Sequence, residues 1–121
     1  ETQVVGVSAA MKNPRGRLVV EQAYDDLRQH LGLKGSGRYV DFRDNWTGEG
    51  YEIPTNGTIA AIRVVARLEG LMLDPTYTGK AFAALLDMIC DDEIEKGSHV
   101  LFWHTGGLLN LAASDYFSGG A

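Results

Sequence analysis

Two short apolar runs constrain this chain more than anything else in its sequence. Val4-Val5-Gly6-Val7 and Val100-Leu101-Phe102-Trp103 are too short for helices and lead straight into polar loops. A run without polar alternation reads as a strand covered on both faces, as in a parallel sheet. A less apolar strand, Tyr39-Val40-Asp41-Phe42, lies between them. The segments separating these strands change to a helical period. Leu18, Val19, Tyr24, Leu27 and Leu31 give a partial stripe to a helix from about Gly16 to Leu31, stopped by Gly32. Pro54-Thr55 opens a second helix, roughly Thr58 to Glu69, that Gly70 ends. Leu71-Met72-Leu73 reads as a short buried link to a third helix, about Lys80 to Asp91. Ala81, Phe82, Leu85, Leu86 and Ile89 make that helix apolar on most faces, so it is expected between two layers. A short helix from Leu108 to about Tyr116 follows the last strand. Strands alternating with helices imply an α/β fold in three layers around a small, mainly parallel sheet of three strands.

The length of 121 residues suits one domain spanning 1–121. A net charge of -5 argues against nucleic acid, whose phosphates need an excess of positive charge. No apolar run approaches the ~20 residues of a membrane span. Cys90 is the one cysteine, so no disulfide can form within the chain and a reducing, cytoplasmic setting is expected. Its place beside Leu85, Leu86 and Ile89 reads as a packed core thiol. No histidine or cysteine pair has metal-ligand spacing, and Asp91, Asp92, Glu93 and Glu95 read as a solvated acidic surface, so no metal is expected. Neither a dinucleotide fingerprint nor a Walker loop is present.

Ligands of parallel α/β sheets bind where strands feed into loops at their carboxyl ends. Three polar loops occupy such places: Trp46 to Tyr51, Asp74 to Lys80, and His104 to Gly107. The last brings a hydroxyl together with backbone N–H groups at a helix start, which favours an anion or an electron-rich ring atom. The plainer alternative is a tight turn at Gly106-Gly107 with Thr105 as a helix cap. His104, at a strand end, likewise reads either as a catalyst or as a hydrogen-bonded core residue.

Gly50-Tyr51-Glu52-Ile53-Pro54, Leu73-Asp74-Pro75-Thr76-Tyr77-Thr78-Gly79-Lys80-Ala81 and Leu101-Phe102-Trp103-His104-Thr105-Gly106-Gly107 together resemble the C-terminal part of the D-cysteine desulfhydrase and 1-aminocyclopropane-1-carboxylate deaminase family. The resemblance implies a pyridoxal-phosphate enzyme and part of the large domain of the tryptophan-synthase β-like fold. It implies that Tyr51 and Tyr77 are catalytic tyrosines facing cofactor and substrate. Thr78, Thr105, Gly106 and Gly107 would bind the cofactor, with Thr105 near the pyridine nitrogen. The deaminase branch is expected to carry Glu and Leu where this chain has Thr78 and Thr105, which leans the chain toward the desulfhydrase branch. A neutral hydroxyl leaves the pyridine nitrogen less protonated than a carboxylate would. Two departures stand out: Glu52 replaces a usual glycine, and Leu109-Asn110 replaces a usual Pro-Ala.

A pyridoxal-phosphate enzyme also needs a lysine to hold the cofactor and a glycine- and serine-rich loop for its phosphate. The resemblance places both upstream of the matched part. None of Lys12, Lys34, Lys80 and Lys96 stands in the cofactor-lysine context. The chain is therefore read as the C-terminal portion of a larger enzyme, inactive alone, with a small amino acid as substrate in the full context. The alternatives are a non-catalytic small-anion-binding or protein-interaction module, and a flavodoxin-like nucleotide binder. Continuous apolar runs and a largely apolar third helix need cover, so a homo-oligomer is expected.

Overall fold

A computed structural model describes residues 2–34 and 41–116. Strand β1 (Val5–Val7) leads into helix α1 (Arg15–Leu31) and strand β2 (Asp41–Arg43). Helices α2 (Asn56–Glu69), α3 (Thr78–Cys90) and α4 (Leu108–Ala112) follow. The strands pair in parallel, with Val5 opposite Asp41, Gly6 opposite Phe42 and Val7 opposite Arg43. A parallel pair needs a crossover, and α1 is that crossover. The α/β class and the small parallel sheet are those expected. Tyr39, Val40 and most of the connector at Lys34–Gly37 lie outside the described residues.

Local chemistry sets the helix limits. Thr55 caps α2 by a reciprocal pair with Thr58: its hydroxyl accepts the Thr58 N–H, and the Thr58 hydroxyl accepts the Thr55 N–H. The helix therefore starts at Asn56, two residues before the expected Thr58. Gly32 and Gly70 end α1 and α2 with φ of 63° and 66°, a left-handed conformation that glycine adopts without a Cβ clash. A carboxylate upstream lengthens the front of α3 to Thr78, as described below. Helix α4 ends at Ala112, short of the expected Tyr116.

The core lies between α2 and α3. Ile62, Val65 and Leu73 are buried there, with Phe82, Phe102 and Leu111 packed around them. Gly79 permits the close approach: a Cβ on it would stand 2.5 Å from the Asp74 carbonyl and 2.9 Å from the Ile62 side chain. Helix α3 also touches β1. The ring of Phe42 is buried against Gly16 at the start of α1, where any added Cβ would run into it.

Several expectations are corrected. Among the described residues the sheet has two strands, not three. Among the described residues Val100–Trp103 has no strand partner, and it is covered on one side only. Phe102 turns inward to meet Phe82 edge-on, with ring centroids 5.0 Å apart. Leu101 and Trp103, one residue either side, are 85% and 79% exposed. A continuous apolar run specifies burial on both faces only when a second layer exists to provide it. Val4 is exposed and Val5–Val7 only half-buried for the same reason. Helix α1 buries Gly16 alone, leaving Leu18, Val19, Leu27 and Leu31 exposed. Leu71 and Met72 are exposed, and of that link only Leu73 is buried. Helix α3 buries Ala83, Ala84 and Met88 but leaves Ile89 exposed. Cys90, at its last position, is an exposed thiol and not a core residue.

Candidate functional site

The site grows from one carboxylate. In Asp74-Pro75-Thr76-Tyr77-Thr78 the chain turns back on the Asp74 side chain, which is 0% exposed. Oδ2 accepts the N–H groups of Thr76 and Tyr77, each at 2.9 Å. Oδ1 accepts the Thr78 N–H at 2.7 Å and the Thr78 hydroxyl at 2.6 Å. The Asp74 N–H donates in turn to the Thr78 hydroxyl at 2.9 Å. A helix start leaves N–H groups without partners and carries partial positive charge, so a carboxylate there is doubly favoured. Burial alone would raise the Asp74 pKa. The hydrogen bonds from Thr78, Tyr77 and Thr76 outweigh it and hold the carboxyl below its ordinary value.

This turn directs Tyr77 outward at the head of α3. Tyr51, from the loop between β2 and α2, meets it: the hydroxyls are hydrogen-bonded and the rings stand edge-on with centroids 5.7 Å apart. The Tyr51 phenol is pushed up to about 12, first by that hydrogen bond and then by desolvation. It therefore keeps its proton throughout the neutral range.

The His-Thr-Gly-Gly turn docks on the same carboxylate. Gly106 and Gly107 have φ of 104° and 107°, and any Cβ on Gly107 would sit on the Asp74 carboxylate. Both positions need glycine for their backbone, and Gly107 needs it for contact as well. His104 fixes the turn. Its Nδ1 accepts the Gly106 N–H at 3.1 Å, which leaves Nε2 to donate its proton to the Met72 carbonyl at 3.0 Å. His104 is hydrogen-bonded, as its plainer reading expects, but it is exposed and not a core residue. An open cavity of about 390 Å³ lies above the turn, lined by Tyr77 and residues 105–110.

Lys80 completes the frame. It is 0% exposed, and Nζ donates to the carbonyls of Ala9 at 2.9 Å, Thr47 at 2.8 Å and Gly50 at 2.8 Å. Desolvation draws its pKa below the ordinary value. An ammonium has three donors, and all three are used.

The structure thus brings Tyr77, Thr105, Gly106 and Gly107 to one cavity and sets Tyr51 against Tyr77 beside it. Thr78 stands apart: it is buried under the turn, with its hydroxyl committed to Asp74. The N–H groups expected to be free at the fourth helix are fewer than anticipated, because Gly106 donates to His104 and α4 has five residues. Two functional groups escaped the sequence reading, Asp74 as a hub and Lys80 as a tie. The first had a signal: Asp-Pro-x-x-Thr suits a carboxylate that accepts backbone N–H groups two to four residues on. The second had none, since its acceptors are backbone carbonyls far along the chain.

Glu52 has φ of 63°, a left-handed backbone that glycine fits best. That accounts for the glycine which the resemblance leads one to expect there. Glu52 does not line the cavity, whereas Leu109 and Asn110, the other departure, do.

Comparisons with known proteins show the family. The model of the family described as pyridoxal-phosphate dependent enzyme matches residues 1–106. A D-cysteine desulfhydrase of Yersinia enterocolitica is 36% identical over 113 residues, covering 93% of this chain and 34% of the relative. A 1-aminocyclopropane-1-carboxylate deaminase of Burkholderia cenocepacia is 38% identical over 116 residues, covering 92% of this chain and 33% of the relative. The chain spans about a third of the length of these curated relatives.

The site yields three predictions. The Asp74 carboxyl has a folded pKa below its ordinary 3.8, so its contribution is complete above that value and lost as the pH falls through the lower folded one. Urea unfolding at a series of pH values should show stability falling on the acid side. Asp74→Asn should cost about 3 kcal/mol at pH 7, by setting an amide N–H₂ against N–H donors, and should flatten that acid limb. Glu52→Gly should raise the urea midpoint by about 0.5–1 kcal/mol in stability, by relieving the left-handed backbone.

Proposed function

The chain belongs to the family of pyridoxal-phosphate-dependent enzymes, and from that premise we propose that it is the C-terminal part of one of the D-cysteine desulfhydrase type. In this reading it acts on a small α-amino acid only within a larger assembly and is inactive alone. The observation that carries the proposal is the cavity. A hydroxyl, a phenol and two glycines converge on it, and no lysine or carboxylate is among its lining residues.

Those residues fit one side of the cofactor. The Thr105 hydroxyl would face the ring nitrogen, and Gly106 and Gly107 would let the backbone approach the ring. When bound, pyridoxal phosphate supplies an electron sink for bonds broken at the amino acid's α-carbon. Thr78 and Thr105, where the deaminase branch is expected to carry Glu and Leu, favour the desulfhydrase branch. Tyr51, protonated at neutral pH, and Tyr77 form a hydroxyl pair at the mouth of the cavity. The pair can hold a proton at a phenol oxygen and orient a substrate's polar group. Thr78 enters this reading through Asp74, whose turn aims Tyr77. Lys80 has no free donor for the cofactor, and Lys12, Lys34 and Lys96 are exposed and off the cavity. The covalent anchor would come from another part of the assembly.

No helix among the described residues is long and apolar enough to cross a membrane. An exposed thiol at Cys90 suits a reducing, cytoplasmic setting. The alternative of a small-anion-binding module draws less support, because the Gly106 N–H is already engaged.

The decisive experiment pairs this chain with the upstream two-thirds of a D-cysteine desulfhydrase deprived of its own C-terminal part. The chain alone should take up no pyridoxal phosphate that borohydride fixes, read by mass spectrometry. The pair should release sulfide from D-cysteine and little ammonia from 1-aminocyclopropane-1-carboxylate. Stoichiometric fixation and turnover by the chain alone would sink the claim of inactivity, and an inert pair would sink the assignment. The same proposal includes self-association. Leu18, Leu27 and Leu31 on α1, with Leu101, Trp103 and Leu109, leave apolar surface exposed. Light scattering of the isolated chain should give a mass of at least a dimer; a stable monomer contradicts this.

A further inference from the structure

Lys80 is a charged side chain with no access to solvent and no carboxylate partner. Arg28–Asp25, Arg43–Asp41 and Arg43–Glu93 are ion pairs among the described residues, whereas Lys80 is bonded there to carbonyls. Its charge is met by three carbonyl dipoles, at 2.8–2.9 Å from one nitrogen. Three carbonyl oxygens around one positive centre are how proteins hold a small cation. The acceptors lie 71, 33 and 30 residues away along the chain. Ala9 follows the carboxyl end of β1, and Thr47 and Gly50 belong to the loop that leaves β2. Gly50 directly precedes Tyr51, and Lys80 stands one helical turn after Tyr77.

We propose that Lys80 is a positioning residue, whose buried ammonium fills a cation site made of three backbone carbonyls and so fixes Tyr51 against Tyr77. The alternative is that the Lys80 stem merely fills space, in which case the charge is dispensable. Packing alone does not explain why every N–H of the ammonium meets an acceptor, or why all three acceptors are main-chain atoms from loops that converge there. The inference needs no cofactor and no substrate. It stands or falls apart from the catalytic reading.

Two measurements on the chain test it. In the native protein the Lys80 ¹⁵N-ammonium signal should be visible at neutral pH and show couplings through hydrogen bonds to the carbonyl carbons of Ala9, Thr47 and Gly50. The exposed ammonium groups of Lys12, Lys34 and Lys96 should exchange too fast to be seen. A Lys80 signal that exchanges like theirs would overturn the proposal. In the second measurement, Lys80→Ala opens the carbonyl site. In sodium chloride the variant should melt about 10 °C lower and lose the Tyr51–Tyr77 ring contact seen by NMR. Ethylammonium should restore both. Tetramethylammonium, of equal charge but without an N–H, should restore neither at matched ionic strength. The native chain should respond equally to the two salts. Rescue by neither cation, equal rescue by both, or a ring contact that survives in sodium chloride would each overturn the positioning role.

Discussion

Two buried charges at the head of α3 hold the three polar loops in one place, and they do so without touching each other. Asp74 is met by N–H groups and a hydroxyl, and Lys80 by carbonyls. Removing an ion from water costs several kcal/mol unless its hydrogen-bonding capacity is filled. Here both are filled almost wholly by main-chain groups. Main-chain partners cannot move away as side chains can, so each charge pins backbone at a fixed distance. The small sheet does not supply that order. Two strands of three residues each give few ladder bonds, and the loops beyond them need their own ties. Asp44 provides another, accepting the Asn13 N–H at 2.7 Å across the ends of the two strands.

Close backbone approach has consequences for residue choice. Gly79 lies against the Asp74 carbonyl and Ile62, and Gly107 against the Asp74 carboxylate. A side chain at either position would have to displace main chain or a buried charge, and neither can yield cheaply. The same crowding does not apply at Glu52, which is exposed. There the constraint is the backbone angle alone, which a non-glycine residue meets at a modest cost.

Much of this was legible in the sequence, and the misses share one physical origin. Gly32 and Gly70 ended helices where expected, because a helix stop is decided within a few residues. The loops that hold Tyr51, Tyr77 and His104 to Gly107 stand out as polar loops between apolar elements, the resemblance singles out the two tyrosines, and the fold brings them together. By contrast, Val100–Trp103 reads as a doubly covered strand, but covering depends on neighbours that a run of four residues does not encode. Its alternation of Phe102 inward with Leu101 and Trp103 outward becomes visible only once Phe82 is in place. Cys90 failed similarly: it follows an apolar pattern but falls where α3 has left the core. The role of Lys80 was not legible, because its acceptors are carbonyls, and carbonyls have no sequence signature.

The electrostatics of the cavity follow from where the charges are hidden. Asp74 lies directly behind Gly107, close enough for a bare carboxylate to bias any ring nitrogen or amino group held above. It is not bare, since four donors from the α3 turn converge on it and draw its charge toward the helix start. The Lys80 charge is compensated likewise by carbonyls on the loops between strands and helices. The polar side chains among the described lining residues are Thr105, Tyr77 and Asn110, with no carboxylate, lysine or arginine. A site of this kind orients a polar ligand through directed hydrogen bonds and sets its protonation through the absence of a nearby uncompensated charge. Asp74 thus shapes the wall of the cavity, through the turn that carries Tyr77 and through its contact with Gly107, while its own charge is met by hydrogen bonds.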